Sequence, residues 1–352
     1  MTHSSMSAPA AAISSTHKFP WHWYLKDLKV PEDGPTVFSC FSCGGGSTMG
    51  YKLAGFRVIG CCEIDPAMMQ IYRVNHHPKL SFCCDIRELL DRCKDFPEMR
   101  ELDVLDGSPP CSVFSMAGER EKGWGKEKKF REGQKEQRLD DLFFHFINVA
   151  KELQPKIVVA ENVAGLIRGK AKGYVNEIFK AFDDAGYFVQ LFLLNSSVMG
   201  VPQKRERVFF IARRKELNLE PINLEYHETP ILFGTVRDDQ GKEHNGTAKE
   251  LLKYRKPSDY DLSDISKRIR RKDCGYTAKI NSDDKVAYTI TSAGQMFRMV
   301  DGLLLTDHDF ISCQTFPEDY NFGNESVQYV CGMSVPPVMM ANIAAKIKEK
   351  YF

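Results

Sequence analysis

From Thr36 onward, short β-branched or aromatic runs alternate with stretches of helical character: Val37 to Phe41, Met49 to Leu53, Arg57 to Cys62 and Ala67 to Val74. The alternation continues through Leu102 to Asp106, an amphipathic stretch from Leu139 to Leu153 and the apolar run Lys156 to Ala160. A helix near Tyr174 to Asp184 and a strand near Phe188 to Leu194 follow, with Gly186 between them as a helix stop. Arg207 to Ala212 closes the series as a final strand. Strands separated by helices pair in parallel, so the pattern predicts a doubly wound α/β fold around a mostly parallel sheet.

The period changes after Ala212. Residues 213–305 are richer in Asp, Lys, Arg and Asn and carry no extended helical pattern, so a second, smaller domain of short strands and loops is expected there. Helical spacing returns between Val335 and Lys348, with Val338, Met339, Ile343 and Ile347 near one face behind Pro336 and Pro337. This segment is expected to return to the first domain. The predicted organisation is an N-terminal extension, partly disordered, over 1–35, a first domain over 36–212, a second over 213–305 and a returning segment over 306–352.

Composition narrows the function. The 352 residues suffice for a large core and a smaller lobe, and a hydrophobic content of 43% excludes global disorder. With 48 Lys and Arg against 47 Asp and Glu, the net charge of +1 excludes binding of nucleic acid by overall charge alone. The best apolar run, around Phe188 to Leu194, is too short to cross a bilayer, so a soluble protein is expected. The first seventeen residues are small and polar, without the charged start and apolar centre of a secretion signal, and read as a frayed tail. Eleven cysteines, an odd number set beside strand-like runs, fit a reducing cytoplasm better than a disulfide framework.

Phe41, Ser42, Cys43, Gly44, Gly45 and Gly46 form a glycine-rich turn between a strand and a helix, where the backbone can approach a ligand closely. Glu63 stands about one βαβ step later, near the offset at which an acid holds ribose hydroxyls. Asp85 is either a further group at the pocket edge or a helix cap. The loop lacks dinucleotide spacing and no Walker lysine follows, which favours a nucleoside ligand without pyrophosphate, such as S-adenosylmethionine. Cys111 follows Pro109 and Pro110 at the carboxyl edge of the fourth strand, and two prolines fix the direction of its thiol. Glu161 is expected at the same edge. At a period of two, Gln203, Arg205 and Arg207 share one strand face, as three donors suited to an anionic or nucleotide substrate.

In this order the motifs resemble those of DNA cytosine methyltransferases that act at carbon 5. The likeness runs from Phe41–Gly50 through Glu63, Asp85, Pro109–Cys111, Glu161–Val163 and Asn195–Arg207 to Gln314–Tyr320 and Gly332–Pro336. It implies a Rossmann-like methyltransferase fold, with 36–212 as the S-adenosylmethionine-binding catalytic domain and 213–305 as the target-recognition domain. Cys111 is implied as the nucleophile, Glu161 as the acid at ring nitrogen 3, and Arg205 and Arg207 as holders of base and phosphate. Ile64, Ile86, Pro110, Leu142, Ser334 and Val335 join the glycine loop, Glu63 and Asp85 as cofactor contacts. Ser112 and Phe114 open a closing loop reaching to Arg138, whose Lys and Arg, with Trp124, are placed to meet flipped-out DNA. Lys267, Arg268, Arg270 and Arg271 fall in the target-recognition region and are read as phosphate contacts. The implied partner is double-stranded DNA, with no membrane. A monomer in the cytoplasm, associated with the nucleoid of a bacterial or phage-infected cell, is expected, and a companion restriction endonuclease stays open.

Three positions depart from the family pattern. Cys43 stands where glycine is usual, with Gly44 expected to take up the turn. Ser112 replaces a glutamine, and Met333 replaces the asparagine between glycine and serine of the last motif, placing a thioether at the methionine end of the pocket. Cys40, Cys43, Cys61, Cys62, Cys83 and Cys84 lack the spacing of a regular zinc finger, and no metal is expected. Trp21, Trp23 and Tyr24 are read as an N-terminal strap over the core, with stacking on nucleic acid as the other reading. Besides methylation of DNA, an RNA substrate, a group other than methyl and a catalytically silent DNA-binding regulator remain as alternatives.

Overall fold

The computed structural model describes residues 17–110, 141–168, 172–275 and 278–352. Seven strands form the main sheet: β1 (Thr36–Cys40), β2 (Arg57–Glu63), β3 (Leu80–Cys83), β4 (Val104–Gly107), β5 (Ile157–Val163), β6 (Tyr187–Asn195) and β8 (Glu206–Arg214), with β7 (Gln203–Lys204) just before β8. Their spatial order is β3-β2-β1-β4-β5-β8-β6. From β3 to β5 all pairs are parallel, whereas β8 runs antiparallel between β5 and β6. The order reverses between β1 and β4, and the crevice outside their carboxyl ends is where folds of this kind bind ligands.

Strand alternation supplies the two cores. Phe38, Cys40, Leu105, Val158 and Ala160 face one cluster, while Val37, Val104, Ile157 and Val159 face the other. On the first face lie α3 (Leu89–Cys93), α4 (Leu142–Leu153) and α5 (Lys172–Asp184), which follow α1 (Gly46–Leu53) and α2 (Pro66–His76) in the chain. The buried acid Asp106 ties the layers by accepting from Ser39 Oγ at 2.8 Å and Tyr51 OH at 3.4 Å. Burial raises its pKa to about 7.

The chain continues through α6 (Phe233–Val236), α7 (Thr247–Leu252), α8 (Leu262–Arg270), β9 (Lys279–Asn281), β10 (Ala287–Tyr288) and β11 (Met296–Arg298) to α9 (Asp307–Gln314), α10 (Val327–Met333) and α11 (Pro337–Tyr351). The expectation of strands and loops for 213–305 is corrected by α8. This nine-residue helix buries only Leu262 and Ile265 of its large apolar residues, too short a stripe to stand out as a period. Its start is fixed by Asp261, which accepts from the N–H groups of Ser263 and Asp264. Leu251, Leu252, Leu262, Ile265, Ile280 and Phe297 form a small core for this lobe. The larger core also runs past Ala212, because Ile222 and Leu224 pack into it.

The segment Val327–Tyr351 is long and apolar enough by composition to cross a membrane, contrary to the expectation that no run reaches that length, but 78% of its apolar window is buried in the fold. Val338, Met339, Met340, Ile343, Ala344 and Ile347 of α11 complete the second core cluster. The helix lies so close to α1 that a Cβ at Gly50 would stand 2.4 Å from Met340 Cβ and 2.6 Å from the Pro337 carbonyl oxygen. Gly50→Ala is therefore expected to lower stability by about 1–3 kcal/mol, read as a lower urea midpoint at unchanged slope. At the other end of the chain Trp23 is buried and donates Nε1–H to the Thr315 carbonyl at 3.0 Å, which makes the N-terminal segment a strap.

Candidate active site

The glycine loop leaves β1 in a strained path. Phe41 (φ 54°) and Cys43 (φ 44°) are left-handed, as is Gly45 (φ 79°), whereas Gly44 is not. The expectation that Gly44 takes up the turn is thus corrected: Cys43 itself adopts it, at a cost of about 1–2 kcal/mol for a residue bearing a Cβ. Its N–H is held by Glu63 Oε2 at 2.8 Å, and Glu63 Oε1 accepts from Asp65 N at 2.9 Å. Burial raises the pKa of Glu63, while these two backbone donors oppose the rise. A carboxylate offers about four acceptor sites, so the acid that braces the loop still has acceptor capacity for a ligand hydroxyl. Behind the loop, Tyr320 OH donates to the Gly44 carbonyl, and a Cβ at Gly46 would meet the Val335 carbonyl oxygen at 2.2 Å.

A cavity of roughly 780 Å³, counted to its open mouth, lies in front of this loop. Of the residues expected to contact a cofactor, Phe41, Cys43, Glu63, Ile64, Asp85, Ile86, Pro110 and Leu142 line it. Ser42, Gly44, Gly45, Gly46, Ser334 and Val335 do not; Ser334 is buried near Gly44 and joins Val335 as a buttress. Asp85 fills both of its readings, since it lines the cavity and caps the next turn by accepting from Arg87 N at 2.9 Å. Met333 lines the cavity, as expected of its thioether, and so do Cys62, Asp65, Met68, Cys84, Ser108 and Tyr329, for which the sequence predicts no contact. Met68 and Tyr329 carry no signal distinguishable from core packing. Burial pushes the Cys43 thiol up to about 12, so it is a neutral wall.

One strand further along, β4 is followed by Pro109 and Pro110, whose turn is pinned by Asn162 of β5. The buried Asn162 amide donates to the Pro109 carbonyl at 3.1 Å and its Oδ1 accepts from Val163 N at 2.9 Å. Glu161 and Asn162 belong to β5 rather than following it, because pairing with β8 continues to Val163. On the neighbouring strand Arg207 meets Glu161, Nε to Oε1 at 3.0 Å. Arg205 is almost fully buried beside them and donates to the Ile290 and Gly332 carbonyls, both at 2.9 Å. Burial lowers the pKa of both arginines, with the Glu161 charge opposing it. Two cations and one carboxylate leave this desolvated cluster net positive, which suits developing negative charge or a phosphate.

Gln203 does not point into the cleft as expected. It is fully buried, donates to Gln314 Oε1 at 2.6 Å and accepts from Ile290 N at 2.8 Å, so it clamps the lobes. Its alternation with Arg205 is broken where the chain passes from β7 to β8. Cys111, Ser112, Phe114, Trp124 and the closing loop as far as Arg138 lie outside the described residues. In the basic cluster, Arg268 is bound to both oxygens of Asp259 and Lys267 pairs with Asp273 at 3.0 Å, while Arg270 and Arg271 are exposed. Arg268 is thus already engaged in the small lobe's own packing.

Residues 36–349 match the family model described as C-5 cytosine-specific DNA methylase. The chain is 34% identical over 248 residues to the Type II methyltransferase M.FnuDI of Fusobacterium nucleatum, covering 70% of this chain and 60% of that protein. It is 28% identical over 331 residues to the Type II methyltransferase M1.HphI of Haemophilus parahaemolyticus, covering 89% and 86% respectively. Among solved structures, a DNA modification methyltransferase encoded within an E. coli prophage superposes with a TM-score of 0.65 at 20% identity, over 90% of this chain and 99% of that one. That likeness speaks for the fold.

Proposed function

The chain belongs to the C-5 cytosine-specific DNA methylase family, and from that premise we propose that it methylates carbon 5 of cytosine in double-stranded DNA with S-adenosylmethionine as donor. The observation that carries this reading is the half-buried Glu161–Arg207 pair with the buried Arg205 beside it, one strand from the Pro109–Pro110 turn that leads into Cys111. Bound against Phe41, Glu63, Ile64, Asp85, Ile86 and Leu142, the cofactor supplies an electrophilic methyl group. Apolar walls suit its base, and the remaining acceptor capacity of Glu63 suits its ribose.

Carbon 5 of cytosine is a weak nucleophile, so the Cys111 thiolate first adds to carbon 6. Negative charge then spreads over the ring, and Glu161, oriented by Arg207, relieves it by hydrogen bonding or proton donation at nitrogen 3. Loss of the carbon-5 proton after transfer expels the cysteine. The base is unreachable inside a duplex and must be flipped out, at a few kcal/mol. In this reading the lobe around α8 recognises the target, with Arg270 and Arg271 towards the phosphates, and the larger lobe catalyses. The protein acts as a monomer in the cytoplasm, on the DNA of a bacterial or phage-infected cell, where a restriction endonuclease is the natural companion of a Type II enzyme.

The test is transfer of label from S-adenosylmethionine to unmethylated genomic DNA, followed by digestion to nucleosides. 5-Methylcytosine is the expected product; folded, cofactor-binding protein that makes none would overturn the proposal. Met333 on the cavity wall favours a second reading, in which the transferred group is other than methyl, and the mass of the modified base separates the two. Asn162→Ala is expected to lower kcat by roughly tenfold to a hundredfold with cofactor affinity retained, because the Pro109 carbonyl loses its donor and the turn its register. Equal losses in turnover and cofactor binding would argue instead for general unfolding.

A further inference from the structure

Two thiols face the same cavity from adjacent strand ends. Cys62 precedes Glu63 at the end of β2, Cys84 precedes Asp85 just after β3, and their Sγ atoms lie 3.9 Å apart. Both line the cavity, so a small solute inside it meets them. Their sequence neighbours are set apart by strand alternation: Cys61 turns to the other face of β2, against Met69 Sδ at 3.8 Å, and Cys83 is exposed. Methyl transfer as described above uses neither thiol of the pair.

We propose that Cys62 and Cys84 form an oxidisable dithiol site whose reactant is a hydroperoxide, and that their disulfide obstructs the cofactor cavity. The cavity's role as cofactor site rests on the function proposed above. Cys84 is the less enclosed of the two sulfurs, and with Cys62 donating across the contact its thiol is pulled down, so Cys84 is taken as the attacking sulfur. Its thiolate attacks the peroxide oxygen, forming a sulfenic acid as the O–O bond breaks and, with hydrogen peroxide, water leaves. The Cys62 thiol then attacks that sulfur, the S–S bond forms, and the sulfenic oxygen departs as a second water. Two thiols are oxidised and one peroxide reduced. Bringing the sulfurs from 3.9 Å to bonding distance draws together the strand ends that carry Glu63 and Asp85.

The test uses the full chain carrying Cys111→Ala, which removes the proposed nucleophile from the thiol count. After hydrogen peroxide, free thiols are alkylated and peptides mapped, and S-adenosylmethionine affinity is measured by calorimetry before oxidation, after it and after dithiothreitol. A linked Cys62–Cys84 peptide, two hydrogens lighter than its reduced halves, is expected, with affinity falling about tenfold or more and returning on reduction. Cys62→Ser and Cys84→Ser in the same background are expected to show no change on oxidation, whatever their starting affinities. Both thiols remaining alkylatable after peroxide would overturn the site, and linkage with unaltered affinity would overturn its effect on the cavity. Protein that binds no S-adenosylmethionine even when reduced would instead overturn the cofactor reading, leaving peptide mapping to decide the dithiol site.

Discussion

Cys111→Ala is expected to abolish 5-methylcytosine formation, lowering turnover by about four orders of magnitude or more while the protein still binds S-adenosylmethionine and DNA. The size follows from the chemistry. Without a thiolate to add at carbon 6, carbon 5 has no enamine character, and no other group replaces a covalent step. Binding should persist because Phe41, Glu63, Asp85 and their neighbours line the cavity proposed for the cofactor. Nucleoside mass spectrometry reads the product and calorimetry the binding. Retained methylation would show that the reaction does not pass through Cys111.

Glu161→Gln is expected to lower kcat by about 10²–10⁴, the range for losing a positioned acid. The amide preserves the shape but cannot donate a carboxylic proton, and it removes the negative charge 3.0 Å from Arg207 Nε. Arg205 and Arg207 then face each other without their shared carboxylate, so some stability is lost as well. A thermal melt alongside steady-state kinetics separates the two effects. If kcat falls only as far as the folded fraction does, Glu161 is a structural counterion and not the acid.

Much of the scaffold was legible because its strands are buried on both faces and its loops carry glycine, proline and acids at strand ends. Val158 and Val159 reveal a buried strand in one glance, and Glu63 reveals an edge. What stayed hidden depended on contacts distant in sequence. Gln203 looked like a cleft donor by strand period, yet its partners are Gln314 and Ile290, far along the chain. The left-handed Cys43 could not be read from its neighbours, since three glycines beside it offered an easier turn. The small lobe was obscure for another reason: α8 is short, and its charged C-terminal residues mask two apolar anchors.

The place of α11 in the second core also has a consequence during synthesis. Val37, Val104 and Val159 present a strand face whose cover, begun by Tyr51 and Phe56, is completed only by residues 337–351. A ribosome-bound chain lacking that helix holds this side of the sheet partly open to water, and transiently exposed apolar surface of this kind is what chaperones engage. Premature stop codons a few turns from the C-terminus should therefore deplete the protein through aggregation and degradation, although every catalytic residue proposed here has already been translated.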